Sequence, residues 1–125
     1  MNHLFLVMLG GAVGAGARHL TGRAALALWG PGFPWGTLIV NLAGGLAMGL
    51  LAGWLAARSS GDEALRYLLG VGVLGGYTTF SAFSLETANM LQRGDYGVAL
   101  LYILAAVIGS IAALFAGLQI ARVAA

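Results

Sequence analysis

Gly75-Gly76-Tyr77-Thr78-Thr79-Phe80-Ser81-Ala82-Phe83-Ser84, followed by Leu85 and Glu86, lies inside an otherwise continuous apolar segment. Tyr67 to Leu85 carry no charge over 19 positions, enough to cross a membrane. Yet the middle and far half of that run hold paired glycines, four aliphatic hydroxyls and two phenyl rings. Each glycine costs a helix interior about 1 kcal/mol, and Ser or Thr can bond backbone that a break exposes. The segment is therefore expected to form a transmembrane helix interrupted in mid-membrane. Non-helical backbone at that depth survives only where it is buried in protein or lines a watery cavity, so the interruption predicts a site.

Composition places the rest of the chain in the same environment. Of 125 residues, 60% are hydrophobic and 8% are charged, against about 25% charged in soluble domains. Cysteine is absent, which excludes disulfides and thiolate metal sites. A net charge of +2 is too small to argue for a nucleic-acid partner. The 21 glycines matter more, because small residues let helices approach closely in lipid. No linker or low-complexity tract divides the sequence, so residues 1–125 read as one transmembrane domain.

Four spans are expected, at about residues 3–28, 35–57, 64–91 and 96–121. Met1 to Ala17 resembles a secretory leader, but its start lacks Lys or Arg and apolar residues resume after Arg18, so it reads as the first span. Gly10 and Gly14 give that span a close-packing face. Gly30-Pro31-Gly32-Phe33-Pro34 cannot continue a helix and predicts a tight turn. Trp29, Phe33 and Trp35 flank it as an interfacial aromatic belt would. The second span carries Thr37 and Asn41 one turn apart, then Gly45, Gly49 and Gly53 as a ridge. Arg58 to Glu63 is a polar loop. Gly72 and Gly76 give the third span a packing face, and Arg93-Gly94-Asp95 is another polar turn. The fourth span has Tyr102, Ser110 and Gln119 as its polar positions and repeats small residues at Gly109, Ala113 and Gly117.

Four spans put both termini on one side. Arg58, Arg66 and Arg122 then lie on that side, and Arg18, Arg23 and Arg93 on the other. Because Lys/Arg asymmetry in short loops orients insertion, a balanced chain should insert both ways up. Two oppositely oriented copies can pair about a twofold axis in the membrane plane. Removing Arg18 or Arg23 from the count restores a modest bias.

Phe80 and Phe83 stand at i, i+3, and Thr79, Phe83 and Glu86 at i, i+4, i+7, so rings and polar groups can share a face. Phenylalanine in a membrane helix ordinarily serves packing or lipid contact. Beside a Gly-Gly break and four hydroxyls, a phenyl edge, the positive part of the ring quadrupole, offers an anion a shallow well. That suits conduction, which needs binding strong enough to admit an ion and weak enough to release it. Asn41, Tyr102 and Ser110 bring N–H or O–H donors to mid-span, for an ion or for interhelical bonds. Glu86 is either a functional acid within the span or a carboxylate reaching interfacial water. Arg18 can snorkel, cap carbonyls or rim an aqueous vestibule. Carbonyls turned out at Gly-Gly suit a hard cation, or a kink satisfied by neighbouring hydroxyls. His3 and His19 lack metal-ligand spacing, and no hydrolase motif is present, so an enzyme is not expected.

The run at 75 to 84 with Glu86, the Gly36-Thr37-Leu38-Ile39-Val40-Asn41 entry to the second span, and Gly11-Ala12-Val13-Gly14-Ala15-Gly16-Ala17-Arg18 together resemble the Fluc (CrcB) fluoride channels over the whole chain. The resemblance implies an all-α, antiparallel dual-topology homodimer in the bacterial inner membrane. Two pores per dimer would pass toxic fluoride out passively. It implies that Phe80 and Phe83 face the ion and that Asn41 donates at the pore. Thr79, Ser81, Ser84 and Glu86 would belong to a polar track, with Tyr102 and Ser110 on the fourth helix and Arg18 near the vestibule. It further implies a structural Na+ at the dimer centre, held by the backbone carbonyls of Gly75 and Thr78 from both subunits. Ala82 and Ala106 depart from the family pattern, where threonine and serine are expected.

Two other functions compete. A small proton-coupled exporter of cationic drugs is also a four-span, dual-topology dimer, but it carries its carboxylate in the first helix, where this chain has none. A structural subunit of a larger complex is the blander possibility.

Overall fold

The computed structural model describes residues 2–58 and 62–124. Residues 59–61, the middle of the expected polar loop, lie outside them. Among the described residues, four helical runs are long and apolar enough to cross a membrane. The first is α1 (Asn2–Trp29), which ends at Gly30, whose φ of 75° favours glycine. The second is α2 (Trp35–Ala56), which starts after Pro34, a residue that cannot donate a backbone hydrogen bond.

The third run, Glu63–Gln92, is wound unevenly. A single turn α3 (Glu63–Leu65) leads into a π-helical segment, Arg66–Leu74, then α4 (Gly75–Tyr77). Thr78 and Thr79 are extended, and α5 (Phe80–Gln92) follows. Nothing in the residue pattern anticipates the π winding. α5 closes on a Schellman turn: Gly94, at φ 82°, and Asp95 return their N–H groups to Leu91 O at 3.1 Å and Met90 O at 2.9 Å. The last helix, α6 (Tyr96–Ala124), runs three residues beyond the expected 121.

Two glycine joints set the packing. A Cβ on Gly72 would stand 2.9 Å from Gly10 Cα, and one on Gly76 would stand 2.7 Å from Gly11 O. α1 therefore lies backbone to backbone against the π-helical segment and α4. On the other side, a Cβ on Gly45 would meet Ser110 O at 2.8 Å, and one on Gly49 would run into the Leu114 carbonyl. The ridge expected on the second span thus beds α2 against α6. Between these joints Leu38, Phe83, Met90, Ala99, Tyr102 and Ala106 form the buried cluster. Leucines, valines and isoleucines of α1 and α6 stand exposed on the outside of the chain, as lipid-facing or partner-facing residues do.

Candidate functional site

Two extended residues strand backbone groups that a helix would have paired, and other elements take them up. Thr78 has φ −85° and ψ 157°, Thr79 φ −152° and ψ 124°. The Thr79 N–H, which in a continuous helix would go to Gly75 O, instead donates to Asn41 Oδ1 at 2.8 Å. Asn41 Nδ2 donates in return to Thr79 O at 2.9 Å. The Asn41 amide thus accepts the N–H that the extended residues strand and adds a second donor to the carbonyl that already opens α5. The Gly76 carbonyl, also deprived of its helical donor, accepts from Arg18 Nε at 3.0 Å. Arg18 thus caps a carbonyl.

The threonines finish the junction. Thr79 Oγ1 caps α5 by accepting from the Ala82 N–H at 3.2 Å and lies 3.2 Å from Ser81 Oγ. Thr78 Oγ1 donates to Leu74 O at 2.9 Å. Its methyl fills the space left by Gly44, where a Cβ would collide with it. Glycine at 44 is therefore what lets α2 reach the interruption.

One turn away from Asn41 on α2 and two turns from Thr79 on α5, Glu86 ties three elements together. Its Oε2 accepts from Thr37 Oγ1 at 2.8 Å, and its Oε1 accepts from Tyr102 Oη at 2.8 Å. Both carboxylate oxygens are thus engaged inside the bundle, where an unpaired one would be expensive. Thr37 and Asn41, at i, i+4 on α2, make the two rungs that hold α5.

The rings form a column. Phe80 and Phe83 lie 5.6 Å apart between centroids, Phe83 and Tyr102 5.1 Å, and Tyr102 and Phe33 5.3 Å. Burial divides the first pair sharply: Phe83 is 8% exposed and Phe80 75%. The i, i+3 spacing put both rings toward one face, but the end of a helix is open on one flank. Phe80, the first residue of α5, projects from that flank, while Phe83 packs against Tyr102 and Ala106 in the core.

Asn41, Thr78, Thr79, Phe80, Phe83 and Ser110 share a groove of about 360 Å³ between α2, the interruption and α6. Glu86 and Thr37 line a second cavity of about 340 Å³ at the Gly30–Pro34 turn. Arg18 lies in a third, of about 250 Å³, with Arg23, His19 and Thr79. Ser81 and Ser84 line none of these and stand exposed; the Ser84 hydroxyl donates back to Phe80 O at 2.9 Å. Ala106 lines the groove with a methyl group where a hydroxyl was expected. The residue pattern places Thr37 only on a face and Phe33 only at the interface; the i, i+4 spacing with Asn41 is the signal for the first.

The chain matches the model of one protein family, described as CrcB-like protein, Camphor Resistance (CrcB), over residues 5–118. It is 57% identical over 122 residues to a protein of Sphingopyxis alaskensis, covering 98% of this chain and 97% of that one. It is 58% identical over 123 residues to one from Caulobacter vibrioides, covering 98% and 97%. A third, from Caulobacter sp., is 59% identical over 123 residues, covering 98% and 96%. Each of the three is named a fluoride-specific ion channel FluC.

Proposed function

This chain belongs to the CrcB-like family, and from that premise we propose that it is a fluoride-specific ion channel of the bacterial inner membrane, as its relatives are named, carrying fluoride passively out of the cell. It is a channel and not an enzyme. The observation that carries the proposal is the column of rings beside the hydrogen-bonded interruption. Phe80, Phe83 and Tyr102 supply ring edges and a hydroxyl between the groove and the Glu86 cavity. Asn41 keeps one amide hydrogen beyond the bond it gives Thr79, and Ser110 adds a hydroxyl to the same groove. An anion shedding water there meets weak donors on several sides and no fixed cation within the groove.

The working unit is a homodimer of two inverted copies, with the interrupted third helix at mid-membrane and a pore on each side. Phe80, open on the flank of α5, and the exposed apolar faces support it, since ring and groove need a cover other than lipid. In this arrangement Thr79, Ser81 and Ser84 line the exposed side of α5 toward the partner. Arg18 and Arg23 draw anions to the vestibule.

The carbonyls of Gly75 and Thr78 fit a structural Na+. The Thr79 N–H has turned from Gly75 O to Asn41, and the Ala82 N–H that a continuous helix would give Thr78 O goes to Thr79 Oγ1. Hard carbonyl oxygens suit a hard cation, and two from one chain need a second pair from the partner. When bound, the ion supplies positive charge at the dimer centre. Exchanging Na+ for N-methylglucamine throughout purification should lower flux or dissociate the dimer; unchanged flux would remove the ion from the account.

The exporter of cationic drugs finds no support, since the relatives are named as channels. The test is purified protein in liposomes loaded with fluoride or chloride and read with ion-selective electrodes. Fast fluoride loss with chloride retained is expected; equal loss of both ions rejects selectivity.

A further inference from the structure

The ring column does not stop at Tyr102. Phe33, carried by the turn between α1 and α2, meets Tyr102 edge to face at 5.3 Å with the planes 82° apart, and leans on Trp35 at 4.8 Å. Its own backbone is tied down, Phe33 O accepting from the Trp35 N–H at 2.8 Å. Beyond it lies the cavity of about 340 Å³ lined by Thr37, Glu86, Asn89 and Arg93. That cavity sits at the end of the bundle where both the Gly30–Pro34 turn and Arg93 are found. Tyr102 itself is 0% exposed. Phe33 lines that same cavity with Glu86, so its ring stands where the buried Tyr102 and Glu86 meet the side open to water.

We propose that Phe33 is the outermost rung of the conduction path, a positioning residue that holds the Tyr102 phenol against Glu86 beside the cavity at the turn. This rests on the channel reading and extends it to a residue outside the interrupted helix. The physical basis is that of the inner rings: a ring edge is mildly attractive to an anion, and an edge-to-face pair fixes its partner's orientation. Tyr102 reaches Glu86 through one hydroxyl, so a few degrees of tilt in the phenol would lengthen that bond. A turn anchored by proline at both 31 and 34 holds the ring with little freedom of its own.

Because the chain contains no cysteine, Phe33→Cys introduces its only thiol, and Trp29→Cys does the same just before the turn, at a ring that meets Trp35 and not Tyr102. Each variant is reconstituted in liposomes and treated with N-ethylmaleimide; labelling is followed by intact mass and fluoride efflux is measured before and after. Labelling at Phe33→Cys should abolish most of the flux, and labelling at Trp29→Cys should leave it unchanged. Equal effects at both positions, or a thiol at 33 that water-borne reagent never reaches, would overturn the assignment. Should Phe33→Cys fail to fold, Phe33→Tyr and Phe33→Leu decide the matter: the ring-bearing variant should conduct as the natural protein does and the aliphatic one should lose flux, and equal flux in the two would overturn it. The unsubstituted protein in the same assay reports on the channel reading itself. If it passes no fluoride, that reading fails and this one with it; if it conducts while the variants show no contrast, only the role of Phe33 fails.

Discussion

The two faces of α2 are built on opposite principles. Toward α6 it offers Gly45 and Gly49, each close enough to the partner backbone that a Cβ would strike a carbonyl of Ser110 or Leu114. Toward the interruption and α5 it offers Thr37 and Asn41, whose side chains make the hydrogen bonds at 2.8 to 2.9 Å to Glu86 and Thr79. Dispersion over a long, close seam gives the first joint its strength and carries no directional information. Each bond of the second is worth little, about 0.6 kcal/mol on average between membrane helices, but it fixes direction. The comparison teaches that one helix can hold the fold on one side and orient the site on the other, so substitutions on its two faces should fail in different ways.

Gly49→Leu should break the first joint outright. The side chain would have to displace the Leu114 backbone, at an overpacking cost of about 3 kcal/mol. Loss of a monodisperse peak in detergent is expected, and a well-behaved protein of normal flux would refute the close-seam description. Asn41→Leu comes next and should act on the other joint. It leaves the Thr79 N–H without an acceptor, at about 1–3 kcal/mol. Flux should fall about tenfold or more, the factor that 1.4 kcal/mol of barrier represents. The protein should still elute as its normal species. Survival of full flux would show that the interruption needs no brace from α2.

Tyr102→Phe should sharpen the contrast at smaller scale. It keeps the ring between Phe83 and Phe33 and takes the donor from Glu86 Oε1, so stability should drop by at least about 1 kcal/mol. Fluoride flux should decline with it, because the hydroxyl is what aligns the Glu86 carboxylate from α6. Arg93→Gln is expected to do least. Its pairing with Asp95, at 3.2 Å, is exposed on both partners, and surface pairs contribute little. Unchanged melting temperature is expected, with a slight flux decrease visible only at low salt, where mouth charges are unscreened.

How much of this was legible in the residues follows from range. The spans, the turn at Gly30–Pro34 and the interruption-prone character of Gly75 to Thr79 are local properties, written in runs and glycines. The glycine ridges are equally local, and their packing follows from the 3.6-residue repeat. The partners of the polar groups are not local. Asn41 and Thr79 are 38 residues apart, and Arg18 and Gly76 are 58 apart. No spacing rule joins them; only the geometry of the stranded backbone shows that the Thr79 N–H needs an acceptor from another helix. The same limit applies to Phe33, whose ring looks like interfacial decoration until Tyr102 is seen beneath it. The division between Phe80 and Phe83 escaped the periodicity because i, i+3 spacing assumes a helix with neighbours all round, and Phe80 stands at an open end.

The central claim is that a fluoride ion is recognised by ring edges set in place by a hydrogen-bonded interruption, and fluoride efflux from liposomes carrying Phe83→Ile tests it most directly. Phe83→Ile keeps an apolar side chain of ordinary packing volume in the core while removing the ring that joins Phe80 to Tyr102. The account predicts a normally assembled protein whose fluoride efflux is all but lost and whose chloride efflux stays low. Fluoride efflux equal to that of the natural protein would contradict it.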